Sequence, residues 1–552
     1  MKNPKKESSD FKGKNNYKEE ELPWYNKPSI YEHVKSNLDS NGKLTADGYW
    51  LPDEERWNAD NKLTWVPGCY DMRETFEDID YDIDEALVEK VAELTINFLK
   101  TNSLHDKVQV YNSLVANANM RFQSLLTDAL LESKMGSYSN LHDYAKWLAF
   151  ESPDRGPVKL GLEFLTMIYD KKDFDKIYIL GKHEEFTLSV VGIISKWFKN
   201  PEPRLWELAK LVNGWGKIIT VNQLSDTENK EIKSWLIREG YKNDIMNEYL
   251  AYDCAVWGDL KGELLKPEVD DELLEASGDI IDALLVGGPP GSMEIYQDGP
   301  DVIRLYLMHI QNRANQLRHF LTLKGIQYFM LDEDGDWDTR IEIGWSNDVF
   351  NELMNQIQPI VTDPKWAEMV IEGLDSDNEQ EFLLADKASI YLGDDLWETH
   401  WNRLMKNPTD INNWVRVMRN SSDANIDQII SFANDTIPLD KIATGPEVDF
   451  GTGRKFNDHH CLDSLLKGLG MYPGVGFNLI KTGLRSPFLG NRSKALNVLS
   501  EWGDINWPEE TRELLQKAMN EEPDPEIAGA IVALLNGEEI DINLYDYIWV
   551  DD

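Results

Sequence analysis

Cysteine is nearly absent from this chain. Cys69, Cys254 and Cys461 are the only three in 552 residues, they lie far apart, and no CxxC occurs. A disulfide framework and an all-cysteine zinc site are therefore excluded on count. Long apolar runs are missing too. No stretch approaches the roughly 18 apolar residues that a membrane span requires. Met1 to Glu21 is rich in Lys, Asn, Ser and Glu and has neither an apolar core nor a small-residue cleavage site. It reads as a disordered lead-in, not as a secretory signal. With no signal and no span, the expected location is the cytoplasm.

Positive charge is the next shortage. The chain has 56 Lys and Arg against 98 Asp and Glu, a net charge of -42. Nucleic-acid binding is driven largely by neutralising phosphate, and here the mean field repels phosphate. Anionic membrane surfaces are disfavoured for the same reason. A basic protein partner is compatible with this balance.

Complete catalytic motifs are lacking as well. Gly287-Gly288-Pro289-Pro290-Gly291-Ser292 has the glycines of a phosphate loop, but Met293 and Glu294 stand where Lys and Ser or Thr are needed. It follows a helical run and reads as a helix-ending turn. Phe450-Gly451-Thr452-Gly453-Arg454 opens like a haem-thiolate loop, yet Asn457 occupies the ligand position and Cys461 comes too late. Gly468-Leu469-Gly470 lacks the third glycine of a dinucleotide fingerprint. Asp332, Asp334, Asp336 and Asp338 alternate as in calcium loops, but the EF-hand Gly and Glu positions hold Trp337 and Ile343. The densest group of potential metal ligands is Asp458-His459-His460-Cys461. Adjacent side chains point in different directions, so His459, His460 and Cys461 are weak metal candidates, and a helix N-terminus capped by Asp458 is the expectation. His183-Glu184-Glu185 begins a helix and lacks the second His of a metalloprotease motif.

What the chain does have is helical periodicity. Phe186, Val190, Ile193 and Trp197 step by four, three and four, which draws one stripe down a helix. Asn200, Pro201 and Pro203 break it, Leu205, Leu208 and Val212 resume it, and Gly214-Trp215-Gly216 is expected to close the second helix. Leu87, Val91, Leu94 and Phe98 repeat the pattern, as do Leu496, Leu499 and Trp502. Many tryptophans sit at the ends of such stripes, where a large ring is expected to fill the gap between stacked helices. Ser29-Ile30-Tyr31-Glu32 is a capping box. Short paired helices with Pro and Gly at their corners predict a mainly α fold, a HEAT- or armadillo-like α-solenoid. One departure is expected: Ile326–Leu331 and Thr339–Ile343 read as two strands of a small β-hairpin insertion around the acidic turn.

The expected organisation is a disordered tail over 1–28, an irregular segment over 29–80 and helical repeats over 81–295. A helix plus hairpin insertion follows over 296–345, then a helical region with acidic loops over 346–450 and C-terminal helical repeats over 451–552.

Several stretches resemble one family. They are Leu208 to Gly216, with Asn213-Gly214-Trp215-Gly216 at its end; Trp235 to Gly240; Met246 to Val256; Ser29 to Lys35; and Val66-Pro67-Gly68. All look like bacterial helical proteins that commonly carry the label limonene hydroxylase. The resemblance runs over most of the chain and is densest between 174 and 300. It implies a monoterpene oxidoreductase that hydroxylates limonene and oxidises the resulting alcohols, carveol and perillyl alcohol. It carries no catalytic or cofactor-binding residue over to this chain. Such chemistry requires NAD(P)H or another redox source, for which the residues show no motif. Two functions therefore stand side by side. One is an enzyme with a small apolar substrate. The other is a non-enzymatic helical-repeat scaffold that binds a basic protein or peptide partner.

Overall fold

The computed structural model describes residues 17–57, 65–76, 84–133, 140–393, 396–451, 454–540 and 542. Among these residues the chain is α-helical, with short 3₁₀ turns, one π turn at Leu236–Gly240 and no strand. It divides into two compact units. One comprises Met1–Glu55 with Trp65–Tyr391, and the other Leu392–Asp552 with Arg56–Thr64. No described helix is long and apolar enough to cross a membrane. Residues 1–16 of the expected tail lie outside the described residues, as do Thr452 and Gly453 of the haem-like stretch.

The first unit shows how the apolar stripes become packing. Along the helix Glu184–Trp197, Phe186, Val190 and Ile193 are fully buried. Burial of such a side chain stabilises the fold by roughly 1.5–3 kcal/mol. Trp197 ends the same stripe but departs from the expected gap-filling role. It is 42 % exposed, stacks on Tyr169 at 5.5 Å and donates its indole N–H to the Thr166 carbonyl at 2.5 Å. At the last helical turn the stripe has run past the core, so the ring covers a helix edge instead.

Two glycines let neighbouring helices touch backbone to backbone. A Cβ at Gly161, in the helix Arg155–Met167, would stand 2.5 Å from the Ala149 nitrogen in the helix Leu141–Glu151. A Cβ at Gly156 would stand 2.1 Å from the Leu114 carbonyl oxygen in the helix Leu104–Ala116. The Ser29 half of the expected capping box forms and the Glu32 half does not. Ser29 accepts from the Glu32 backbone N–H at 3.2 Å and starts the helix Ile30–Ser36, while the Glu32 carboxylate pairs with Lys35. The glycine turn after the helix Asp271–Val286 ends it, with Gly287 at φ +82° and Gly288 and Gly291 exchanging two backbone hydrogen bonds of 3.1 Å.

The expected hairpin is a correction. Ile326–Leu331 belongs to the helix Leu317–Leu331, and Thr339–Glu342 to the helix Trp337–Glu342. Phe320, Leu323, Ile326 and Met330 are buried at helical spacing, which outweighs the strand propensity of the short apolar run. The acidic turn is drawn together by Arg340, a buried residue. Its guanidinium reaches Glu294 at 2.7 Å, Asp332 at 2.9 Å and the Phe329 carbonyl at 3.0 Å. Asp336 caps the second helix through the Thr339 N–H.

In the second unit Trp401, Trp414, Leu465, Leu466, Leu499 and Trp502 form one buried cluster. The Trp502 indole donates to the Leu469 carbonyl at 2.9 Å, so this ring does bridge two helices as expected. Arg492, fully buried, meets Glu522 through two nitrogens at 2.8 Å each.

Gly161→Ala is expected to lower stability by about 1–3 kcal/mol, because the added methyl meets backbone that cannot move away. Urea unfolding of the variant checks it, and an unchanged midpoint would show that the two helices are not in this contact.

Candidate functional site

The most unusual chemistry in the first unit is a set of charges with almost no access to water. Arg155 opens the helix Arg155–Met167, Lys159 follows one turn later, and Glu185 stands at the start of the helix Glu184–Trp197. Asp53 directly precedes the short helix Glu54–Trp57, and Asp71 lies in the helix Cys69–Phe76. All five side chains are 3–6 % exposed. Arg155 contacts Asp53 at 3.1 Å, Glu54 at 2.6 Å and Glu185 at 3.7 Å. Lys159 bridges Asp71 at 2.8 Å and Glu185 at 2.6 Å. The Gly68 N–H donates to Glu185 at 3.1 Å.

Burial alone would raise the Glu185 carboxyl. Lys159 and Arg155 overcome that effect and hold it at about 2. His183 is fixed between its neighbours, since the Glu185 N–H donates to its Nδ1 at 3.2 Å and its Nε2 faces the Tyr49 carbonyl at 3.1 Å. That pattern requires the neutral imidazole with its proton on Nε2. Burial pushes the ring down to about 4, so it is neutral at pH 7.

Glu184, one residue away, has the opposite surroundings. Its carboxylate accepts one hydrogen bond, from the Trp215 N–H at 3.2 Å, and no cation pairs with it among the described residues. Burial pushes it up to about 8, and the charges of Asp244 and Glu185 add to that. It is only partly buried, so it meets solvent. Gly214, with φ +51°, lies directly beneath it, and a Cβ there would stand 2.2 Å from the carboxylate.

Three aromatic residues lie near this carboxyl, Tyr49, Trp215 and Tyr249. The Tyr49 hydroxyl is raised by burial and by the charges of Glu184 and Asp244. Trp215 meets Tyr249 edge-on at 5.2 Å, and a Cβ at Gly68 would stand 3.2 Å from that of Trp215. Asn243 donates to the Gly214 carbonyl at 2.9 Å, and the Asp244 N–H donates to Asn213 at 3.3 Å. Loops around 66–69, 213–216 and 243–249 therefore converge on Glu184. Each of them includes residues of a stretch that carried the family resemblance. Gly214-Trp215-Gly216 does not close a helix as expected. The helix Glu202–Ala209 ends earlier, and Gly214 opens the helix Gly214–Asn222, because its backbone turns toward the Glu184 carboxylate.

His459, His460 and Cys461 lie in the first turn and a half of the helix Asn457–Leu469, with Phe456 and not Asp458 at the cap. The structure does not bring them together. The His459 ring meets Phe456 edge-on at 4.9 Å and neither of its nitrogens has a hydrogen-bond partner. His460 faces the Gly451 carbonyl at 2.9 Å, and the Cys461 sulfur lies 3.9 Å from the Thr409 carbonyl. Burial pushes the Cys461 thiol up to about 12, which keeps it protonated. Among the described residues no three His, Cys, Asp or Glu side chains are placed to share a metal ion.

The sequence marked His183-Glu184-Glu185 only as a helix start. Asp53, Asp71, Arg155 and Lys159 had no local signal, because Asp53 lies 102 residues from Arg155 and Asp71 lies 88 from Lys159, and Glu185, the carboxylate both cations share, sits on another helix. No protein-family model, curated protein or solved structure matches the chain.

Glu184→Gln tests the geometry through stability. With its carboxyl raised to about 8 from 4.5, the folded protein loses stability as pH rises from the lower value through the higher. The variant does not titrate there. It is expected to match the parent near pH 4 and to exceed it by about 2–4 kcal/mol above pH 8. Urea midpoints measured from pH 4 to 9 check this, and a constant difference across that range contradicts it.

Proposed function

We propose that this chain is a binding protein for a basic segment of a partner, and that Glu184 receives a Lys or Arg side chain. In this proposal its helix pairs stack in HEAT- or armadillo-like fashion and expose loops that hold the Tyr49, Trp215 and Tyr249 rings around the carboxyl. The observation that carries it is the contrast between two neighbours. Glu185 is paired with two cations, whereas Glu184 has none and faces solvent. A partner cation supplies the missing charge, and aromatic faces add about 0.5–2 kcal/mol for a desolvated cation. The overall charge of -42 steers basic segments toward the protein. Binding draws on the ionised carboxylate, so it displaces a proton at pH values below about 8. A lysine-rich octapeptide is expected to bind more tightly as pH rises from 6 to 8.5. Glu184→Gln should weaken binding about tenfold or more and flatten that pH dependence. Titration calorimetry in two buffers of different ionisation enthalpy reads both effects, and equal affinity of parent and variant would sink the proposal.

A second proposal is the monoterpene oxidoreductase implied by the family resemblance. It is favoured by the convergence of the resembling stretches on a carboxyl that titrates near neutrality. Such a group can hold or release a proton at its carboxylate oxygens during oxidation of an alcohol. The described residues present no ligand set for iron, so no step is assigned to a metal. Limonene incubated in air with the protein and NAD(P)H is expected, on this proposal, to give water and carveol or perillyl alcohol, read by gas chromatography, one oxygen atom of O2 going to each. Those alcohols with NAD(P)+ are expected to be oxidised by the parent but not by Glu184→Gln. Unconverted limonene with either reductant removes this alternative.

A further inference from the structure

Lys107 lies in the helix Leu104–Ala116 of the first unit and is 8 % exposed. Its amine sits over three aromatic rings, 3.2 Å from the centroid of Trp147, 5.2 Å from Trp24 and 5.9 Å from Phe98. The rings form one connected wall. Trp24 meets Trp147 at 4.8 Å and Tyr111 at 4.9 Å, and Phe98 meets Tyr144 at 4.7 Å. No carboxylate pairs with the amine among the described residues. Asp106 receives the Asn97 amide, and Asp154 receives the Tyr111 hydroxyl at 2.5 Å. Of the other buried cations, Arg155, Lys159, Arg340 and Arg492 face carboxylates, Lys217 donates to the Glu239 carbonyl and Arg416 to the Asn413 amide oxygen. The Lys107 amine faces aromatic rings instead.

We propose that Lys107 is a nucleophilic amine that captures an apolar aldehyde as a Schiff base within the Trp24, Trp147 and Phe98 cage. The chemistry of the surroundings selects this ligand. A buried ammonium without an anion is disfavoured, and burial pushes the amine down to about 7. The Trp147 face favours the charged form, but by less than burial disfavours it. Much of the amine is therefore free near neutral pH, as nucleophilic lysines in apolar pockets are. In the reaction the nitrogen attacks the carbonyl carbon and a C–N bond forms as the C=O π bond breaks. A proton passes from nitrogen to oxygen, water leaves, and a neutral imine remains. The imine removes the unpaired charge from the cage. Carbon dioxide would instead give an anionic carbamate against the negative faces of the rings, which the cage disfavours. Trp24 and Trp147 are only partly buried, and their exposed ring edges are where a flat apolar aldehyde would stack on this proposal.

The full chain, treated briefly at pH 7 with benzaldehyde and cyanoborohydride, tests this by peptide mass spectrometry after Glu-C digestion. Lys107 is expected to be benzylated at least about tenfold faster than the median lysine, since a free amine outcompetes protonated ones at that pH. Its rate should level off by pH 8 to 8.5, while those of surface lysines keep rising. Labelling of Lys107 at or below the median rate, or a rate that climbs in parallel with the surface lysines, overturns the proposal. This experiment uses the parent protein and does not depend on the role of Glu184.

Discussion

Taking Arg155, Lys159 and Glu185 out of water costs several kcal/mol per ion, and their contacts with one another, with Asp53, Glu54 and Asp71 and with the Gly68 N–H offset it. That constraint shapes the surroundings of both helix starts. The carboxylates must come from the N-terminal segment, so a stretch with little regular structure is held by ionic contacts where apolar stripes are unavailable. Removing one partner would leave a buried charge without its counter-ion, at a cost of about 3–5 kcal/mol. The pairing also explains why Glu184 differs from Glu185. Both cations are taken up on one side of the helix start, and the carboxyl on the other side keeps only a backbone N–H.

Three environments for buried charge coexist in the first unit. Glu185 is ionised because cations surround it, His183 is neutral because burial disfavours the charged ring, and Lys107 is caged by aromatic faces without an anion. Desolvation acts on all three, and only at Glu185 do the partners overcome it. In the second unit the Arg492–Glu522 pair follows the first pattern.

The helices were legible in the sequence wherever an apolar stripe ran for several turns, as along Phe186, Val190 and Ile193, and wherever a cap was local, as at Ser29. The stretch from Ile326 to Leu331 misled because six residues rich in apolar and aromatic side chains, taken alone, fit a strand. The helical stripe that contains them begins earlier, at Phe320. Arg340 then gathers the acidic turn through contacts that no local pattern announces. The candidate site was legible only in fragments. Gly214 and Trp215 stood out as a motif, but the need for glycine becomes clear only when Glu184 is seen pressed against it. Charge pairs between residues about a hundred positions apart leave no periodic trace.

The long reach of the ionic contacts sets an order for events during synthesis. Asp53 leaves the ribosome 102 residues before Arg155, and Gly68 leaves 117 residues before Glu185. At about 5–20 residues per second, the N-terminal segment waits roughly 5 to 25 seconds for its counter-ions. Throughout that interval it is a hydrated, acidic stretch of nascent polypeptide, and a chain that stops before residue 155 leaves Asp53 and Asp71 without the cations that hold them.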